Sequence, residues 1–164
     1  MRLGAADFAG RWRLERRITD HRGGPESVLR GEVYLEPVAG GLEYRERGSL
    51  RLGDGPPLEA ERRYFWAFIE GEVRVRFADG APFHAFVPAG KGAGTPHPCG
   101  DDLYQCAYDF TAWPRWRVTW RVRGPRKDYL SVSEHAPLEA AHPLGQNHAQ
   151  RVSSRGAIHE HDDI

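Results

Sequence analysis

Long apolar runs, net charge and cysteine are all scarce in this chain. No hydrophobic stretch approaches the ~18 residues that a membrane-spanning helix needs. The 23 Lys and Arg residues cancel the 23 Asp and Glu residues, so a nucleic acid or an anionic membrane has no electrostatic support as a partner. Two cysteines, Cys99 and Cys106, are too few for a disulfide scaffold. We expect both to be free thiols.

Targeting signals and multidomain features are equally sparse. Residues 1–7 contain no apolar segment of the kind found in secretory signals, so a cytoplasmic location is expected. A chain of 164 residues and 18.5 kDa is long enough for one domain with a core but short for two. Hydrophobic residues make up 40% of the chain and charged residues 28%, which is the balance of a globular protein.

The sequence is rich in glycine, in proline and in two-residue alternation. The 19 glycines and 12 prolines favour short elements joined by turns. Near the start, Trp12, Leu14 and Ile18 share one parity, whereas arginine and glutamate fill most of the other. Alternation of this kind, which is typical of strands with one buried face, recurs near residues 29–36, 42–51, 58–70, 73–77, 82–87, 104–110, 116–123 and 126–135. Residues 88–98 are rich in Gly and Pro and predict a loop.

These segments predict an all-β fold. About nine short antiparallel strands, with no amphipathic helix between them, indicate a sandwich or a barrel. A barrel is favoured because nearly every strand has one apolar face and because closure removes exposed edges. We predict a barrel over residues 1–136 and a flexible polar tail over residues 137–164, where the alternation stops. A short docked helix is the alternative for the tail.

Several motifs give the chain a family resemblance. The start Gly10-Arg-Trp12 resembles the Gly-x-Trp start of lipocalin and fatty-acid-binding barrels, which implies an indole at the barrel base near a late cation, Arg126 or Lys127. The wider pattern resembles a bacterial family known as domain of unknown function 6314, whose members look lipocalin-like. The matching segments are 12–16, 44–46, 63–66, 79–80, 83–84, 99–104 and 124–129. The resemblance implies an up-and-down lipocalin-like barrel and brings no established activity.

Two charged residues fall on the predicted inner face. Arg16 shares its parity with Trp12 and Leu14, and Glu46 shares its parity with Leu42. An ionised group in a dry core is costly unless it is paired or hydrated. One interpretation is a structural salt bridge between Arg16 and Glu46. The other is that both groups face a ligand in a cavity.

Aromatic side chains favour a cavity. Small closed barrels can leave room for one ligand, and buried Tyr and Trp each need a polar partner. The residues mostly assigned inward are Tyr64, Trp66, Tyr104, Tyr108, Trp116 and Trp120. Each of them could equally be an ordinary core residue with an outward polar tip.

The inward parity is ambiguous on the fourth strand. One set contains Arg62, Tyr64 and Trp66, and the other contains Arg63 and Phe65. We favour the first set because aromatic residues need burial, and this choice turns Arg62 inward.

The last strand is also ambiguous. The apolar pair Leu130 and Val132 argues that their parity faces inward, which would turn Tyr129 outward. A bulge after residues 124–125 would still let Lys127 reach the interior. Either choice leaves a cation and a tyrosine at one barrel end, where the two could meet a carboxylate.

Histidine and cysteine supply the chemical alternatives. His84, His97 and Cys99 are possible metal ligands, but their spacing matches no zinc motif, and neither a metal nor another cofactor is predicted. If the barrel held haem, His84 would be the first candidate for the axial ligand. A barrel enzyme, an isomerase or hydrolase, would use His84 or His97 with a carboxylate such as Asp102. No nucleophile elbow, phosphate loop or zinc-hydrolase motif supports catalysis.

The function that we predict from the sequence is binding of a small, partly apolar, anionic molecule in the barrel interior. The expected partner is this small molecule, with no nucleic acid and no membrane, and the sequence predicts no oligomeric state. The predicted ligand-binding residues are Arg16, Tyr44, Glu46, Arg62, Tyr64, Trp66, His84, His97, Tyr104, Trp120, Lys127 and Tyr129.

Overall fold

The alternating segments form strands in the computed structural model, which describes residues 1–138. A short helix, α1 (Ala5–Phe8), precedes the strands. The strands are β1 (Gly10–Asp20), β2 (Ser27–Val38), β3 (Gly41–Leu52), β4 (Leu58–Ile69), β5 (Glu72–Phe77), β6 (Pro82–Phe86), β7 (Lys91–Ala93), β8 (His97–Cys99), β9 (Asp102–Asp109), β10 (Trp116–Arg123) and β11 (Asp128–Pro137).

Strands that follow one another in the chain also lie side by side through most of the barrel. Strands β1 to β6 form one antiparallel meander, and β9 to β11 form a second. Strand β1 pairs with β11, with Trp12 opposite Pro137 and Asp20 opposite Tyr129. This pairing joins the two meanders into one sheet of 11 strands. The predicted all-β antiparallel barrel is confirmed, with more strands than the nine or so expected.

The barrel closes where the chain after β7 passes between β6 and β9. The Thr95 N–H donates to the Ala85 carbonyl at 2.8 Å, and the Gly94 N–H donates to the Cys106 carbonyl at 3.1 Å. The Thr95 hydroxyl accepts from the Ala85 N–H at 2.8 Å. The prediction of a loop over residues 88–98 is therefore wrong in part. Strands β7 and β8 pair with β9 there, and their exposed residues carry no hydrophobic alternation.

The outer face of the sheet carries cross-strand pairs of arginine and glutamate. Examples are Arg11 with Glu32 at 2.9 Å and Arg47 with Glu61 at 2.8 Å. Exposed pairs of this kind stabilise a fold by about 0–1 kcal/mol each. Their main consequence is that the charged parity of each strand stays in solvent, which fixes the opposite parity inside.

Aromatic rings fill the base of the barrel. Phe8 at the end of α1 is fully buried and lies 5.4 Å from Trp66 and 5.8 Å from Trp116, measured between ring centroids. The Trp12 indole donates to the Phe8 carbonyl at 2.9 Å. Neither expected cation lies near this indole, because Arg126 and Lys127 precede β11 at the end of the strand opposite Trp12. Edge-to-face ring contacts close the base instead.

The two ambiguous strands resolve in different ways. On β4 the structure places Arg62, Tyr64 and Trp66 on the inner face, as the need to bury aromatic residues predicts. On β11 the preference for Leu130 and Val132 is wrong.

The inner parity of β11 is polar. The residues that line the interior include Ser133 and His135 together with Tyr129, whereas Leu130 and Val132 are only partly buried on the other face. The physical reason is that Arg16 on β1 needs the Ser133 hydroxyl and that the Trp116 ring stacks on His135 at 3.5 Å. Specific partners outweigh the generic apolar preference here.

The barrel ends at Pro137, close to the predicted domain boundary. The predicted tail falls almost entirely outside the described residues. Within residues 1–138, no helix is long and apolar enough to span a bilayer.

We expect Gly94→Ala to destabilise the barrel by about 1–3 kcal/mol, the usual cost of overpacking. A Cβ atom at position 94 would lie 2.5 Å from the Cys106 sulfur and 3.0 Å from the Ala85 carbonyl oxygen. Gly92 is the matched control, because a Cβ there meets nothing within 4 Å. Urea unfolding of both variants measures the difference. Equal stability of the two would show that close packing at Gly94 does not limit closure.

Candidate functional site

A layer of polar side chains crosses the middle of the barrel. The Arg16 guanidinium makes a bidentate pair with Glu46, with Nη1 to Oε2 at 2.8 Å and Nη2 to Oε1 at 2.6 Å. The Arg16 Nε–H donates to the Ser133 hydroxyl at 2.7 Å, and the Tyr44 hydroxyl donates to Glu46 Oε1 at 2.7 Å. The salt bridge offered by one interpretation therefore exists. Arg16 also lines a cavity, and the interpretation that Arg16 and Glu46 face a ligand stays a prediction.

Both charges of this pair are stable despite complete burial. Burial alone would raise the pKa of Glu46, but the Arg16 charge and hydrogen bonds, with help from Arg62 and Tyr44, lower it to about 2. Burial would lower the pKa of Arg16, and Glu46 more than reverses this effect. Burial and the neighbouring carboxylate raise the pKa of Tyr44, which keeps its hydroxyl a donor. The pair is thus an ionised unit at neutral pH.

Arg62 adds a second guanidinium to this layer, and its charge is only loosely matched. Its Nε atom lies 3.9 Å from Glu46 Oε2, beyond hydrogen-bond distance, and its side chain is 16% exposed. The guanidinium also interacts with the Tyr64 hydroxyl. Since Glu46 already neutralises Arg16, the layer carries one surplus positive charge. Arg62 is the residue that brings it.

A cavity of about 420 Å³ opens above the polar layer at the mouth of the barrel. Arg16 and Arg62 line its deep end, and the turn between β1 and β2 borders it. The carboxylates Asp20 and Glu59 are also among its lining residues. Aliphatic residues on the inner faces of β1 to β4 form the largest group in the wall. These are Ile18, Leu29, Leu50, Leu52, Leu58 and Ala60. Leu52 and Leu58 are 58% and 50% exposed, so an apolar lip surrounds part of the opening. We call this space the mouth cavity.

A much smaller space of about 40 Å³ lies on the other side of the layer. We call it the inner chamber. Arg16, Arg62 and Glu46 line it from above, and aromatic residues surround the rest. His84 faces it from β6, with its Nε2 atom 2.8 Å from the Tyr108 hydroxyl. His135 faces it from β11. Ring packing fills most of the barrel interior below the layer, so the mouth cavity is the larger space.

The two interior histidines are neutral at physiological pH. Burial, with a smaller contribution from His97, lowers the pKa of His84 to about 3. Burial and the nearby Arg16 charge lower the pKa of His135 to about 3. Neither ring is therefore a general acid near neutrality.

The structure brings together most of the residues that the sequence predicted. Arg16, Arg62 and Tyr129 line the mouth cavity. The inner chamber is lined by Arg16 and Arg62 again and by the predicted residues Tyr44, Glu46, Tyr64, Trp66, His84 and Trp120.

Three predicted site residues lie elsewhere. Lys127 donates to the Tyr104 hydroxyl at 3.0 Å and lies 3.8 Å from Asp102, outside both spaces. His97 packs edge-on against the Phe83 ring at 5.1 Å. These residues cover one side of the upper barrel and line neither space.

Sequence reasoning missed Ser133 and His135 as parts of the site. Both belong to the set of alternating β11 residues that is mainly polar. From the sequence alone this set looks like the solvent-exposed face of a strand. It also missed the role of Leu29 and Leu50, which share the inner parity of their strands and extend the predicted pattern to the mouth. Their position in the alternating pattern was the sequence signal that could have identified them as lining residues.

The chemical alternatives gain little geometric support. Among residues 1–138, neither His84 nor His97 pairs with a carboxylate, and no group of three or more His, Cys, Asp or Glu is placed to hold a metal. His84 faces only the inner chamber, which is far smaller than a haem. The barrel enzyme and the haem barrel remain untested predictions.

Comparison with known proteins adds a family and a fold. Residues 8–137 match the family of unknown function DUF6314. The chain belongs to this family. No curated protein matches it. The match confirms the resemblance that the motifs indicate.

Two solved structures share the DUF6314 barrel. An S-type phycobiliprotein lyase, CPES from Guillardia theta, is 10% identical, with a TM-score of 0.59 over 83% of this chain and 91% of that chain. A DUF3598 protein of unknown function from Nostoc punctiforme is 14% identical, with a TM-score of 0.53 over 82% of this chain. The DUF6314 chain spans 48% of that second protein. At these identities the likeness shows the fold, a lipocalin-like barrel.

We expect Glu46→Gln to destabilise the protein by about 3–5 kcal/mol, because it leaves the buried Arg16 charge unpaired. Glu134→Gln is the matched control. Its partner Arg117 lies at 2.6 Å, but both side chains are more than half exposed, so the loss should stay below about 1 kcal/mol. Chemical denaturation gives both values. Similar losses for the two variants would contradict a tightly coupled interior pair.

We expect stability to fall as the pH decreases from 6.5 toward 3. In this window the unfolded chain binds protons at His84 and His135, whereas the folded protein, with both pKa values near 3, does not. Each histidine should cost up to about 1.4 kcal/mol per pH unit. Glu46 adds to the loss only below about pH 4.5.

Urea unfolding between pH 6 and pH 5 isolates the histidine contribution. His84→Gln and His135→Gln should each give a shallower dependence of the unfolding free energy on pH than the unaltered chain. An unchanged slope in both variants would show that the rings accept protons in the folded state.

Proposed function

We propose that this protein binds a small amphipathic anion in the mouth cavity, with the anionic group on Arg62 and an aliphatic body against the leucine-rich wall. The observation that carries the proposal is the loosely matched Arg62 charge at the deep end of an apolar cavity. A largely buried guanidinium whose nearest carboxylate, Glu46, lies beyond hydrogen-bond distance and already pairs with Arg16 favours an anionic partner.

The shape of the cavity supports this ligand class. A volume of about 420 Å³ falls within the range of about 300–1,000 Å³ typical of small-molecule pockets. Branched aliphatic side chains are the largest group among its lining residues, and Tyr129 is the one aromatic residue of the wall within the described chain. Planar aromatic ligands usually stack on aromatic rings, which here are packed below the layer. The cavity therefore suits a flexible aliphatic chain of medium length.

The fold comparison supports a ligand-binding interior in a weaker way. One neighbour with this barrel is a phycobiliprotein lyase, and the present chain covers 91% of it. A shared fold does not transfer a substrate. The ligand class proposed here rests on Arg62 and the cavity wall.

We expect the protein to bind decanoate and Arg62→Gln to weaken this binding about 10- to 100-fold. The reason is that a hydrogen bond to a charged group contributes about 1.5–3 kcal/mol. Isothermal titration calorimetry measures the dissociation constants. Decanol, which has a similar chain without the charge, should bind the unaltered protein more weakly than decanoate.

Arg63→Gln is the matched control for the loss of an arginine. Arg63 is the next residue on the same strand, but its side chain is 61% exposed and pairs with Glu43 on the outer face. Its substitution should leave the dissociation constant for decanoate within about twofold of the value for the unaltered protein, because an exposed ion pair contributes little free energy. Ala60→Trp, which fills the mouth cavity without altering charge, should abolish binding. Equal affinities of the Arg62 and Arg63 variants, or undiminished binding by Ala60→Trp, would refute the proposal.

A further inference from the structure

The inner chamber is surrounded by buried polar atoms that no protein group satisfies. They are the Trp116 Nε1–H, the His135 Nε2 and the His84 Nδ1, each without a hydrogen-bond partner in the described part of the chain. All three residues line the chamber and are more than nine-tenths buried. Buried polar groups are nearly always hydrogen-bonded, and an unmade bond is costly. Three such atoms around one space indicate that the space is built for a guest.

The hydrogen bonds already made show what the guest must offer. The His135 Nδ1 lies 3.3 Å from the Trp116 carbonyl oxygen, which can only accept, so Nδ1 carries the proton. The His135 Nε2 is then a bare acceptor, whereas the Trp116 indole can only donate. His84 uses Nε2 on the Tyr108 hydroxyl, which leaves Nδ1 unsatisfied in either tautomer. The guest must both donate and accept.

The groups around the chamber favour a neutral guest, because the Glu46 carboxylate lines this space but not the mouth cavity. An anion would face the Glu46 carboxylate and the bare His135 acceptor. A cation would face Arg16, Arg62 and the Trp116 indole hydrogen. The imidazoles do not compensate, because burial keeps both of them uncharged near neutral pH. Charged molecules of either sign therefore meet at least two opposing groups.

The size of the chamber limits the guest to very few atoms. A buried water needs a cavity volume of about 10–15 Å³, measured as the space open to the centre of a water-sized sphere. The chamber has about 40 Å³ of such volume, so it holds about three waters. The same space fits one molecule of two or three non-hydrogen atoms.

We propose that the inner chamber is a second binding site, separate from the mouth cavity, for small neutral molecules that both donate and accept hydrogen bonds. Water occupies it in solution, and a small alcohol exchanges with that water. The guest links the His84–Tyr108 pair to the Arg16–Glu46 layer, so a hydrogen-bonded network runs across the barrel.

The indole hydrogens test for water directly. In nuclear magnetic resonance spectra of the full chain, the Trp116 Hε1 should show a magnetisation-transfer peak to a long-lived water. The Trp12 Hε1, also buried but bonded to the Phe8 carbonyl, is the control and should show none. Trp116→Phe assigns the signal. If that variant does not fold, contacts to the stacked His135 ring assign it instead. A Trp116 signal without a water peak would overturn the proposal.

Three probes of similar size test the chemical class. Methanol should shift the Trp116 Hε1 signal with a saturable concentration dependence. Formate and methylammonium at matched ionic strength should produce no saturable shift. Saturation by formate or methylammonium, or a strictly linear response to methanol, would refute the assignment of a neutral guest. Because decanoate tests the mouth cavity, failure of either proposal leaves the other standing.

Discussion

The interior of this barrel depends on the ion pair between Arg16 and Glu46. Removing two charges from water costs several kcal/mol per ion unless geometry and further hydrogen bonds compensate. Here the bidentate contact, the Ser133 hydroxyl and the Tyr44 hydroxyl supply that compensation. The pair joins β1 to β3, and the Ser133 hydroxyl adds β11, 117 residues from Arg16 in the chain. These contacts therefore link the strands at the boundary between the packed base of the barrel and the open mouth cavity.

This polar layer separates two kinds of interior. On one side, rings stack and cross closely, as in the Phe86–Tyr108 contact with centroids 3.8 Å apart. On the other side, aliphatic residues surround a cavity that opens to solvent. A rigid, well-packed base allows the open end to exist, because the base supplies most of the buried apolar area. Arg62 lies at the boundary and lines both spaces.

The fold alone carries little information about activity. The two solved structures described above are 14% and 10% identical to the chain. Unrelated functions occupy one architecture through different site residues. The functional argument therefore begins at Arg62, whose neighbour Arg63 differs from it only in the face of the strand. Because successive residues of a strand point to opposite faces, Arg63 is a solvated surface charge, whereas Arg62 is a candidate anion-binding residue.

The sequence by itself determined the barrel, the inward parity of β1 and β3 and the interior place of Arg16 and Glu46, because alternation with period two is a local property of a strand. Tertiary structure alone decided the rest. The inward turn of Ser133 and His135 follows from partners on other strands, and closure at Gly94 and Thr95 follows from backbone hydrogen bonds that leave no hydrophobic pattern. The contact between Arg16 and Glu46 depends on how β1, β2 and β3 are aligned in the sheet. The sequence pattern of one strand does not specify that alignment.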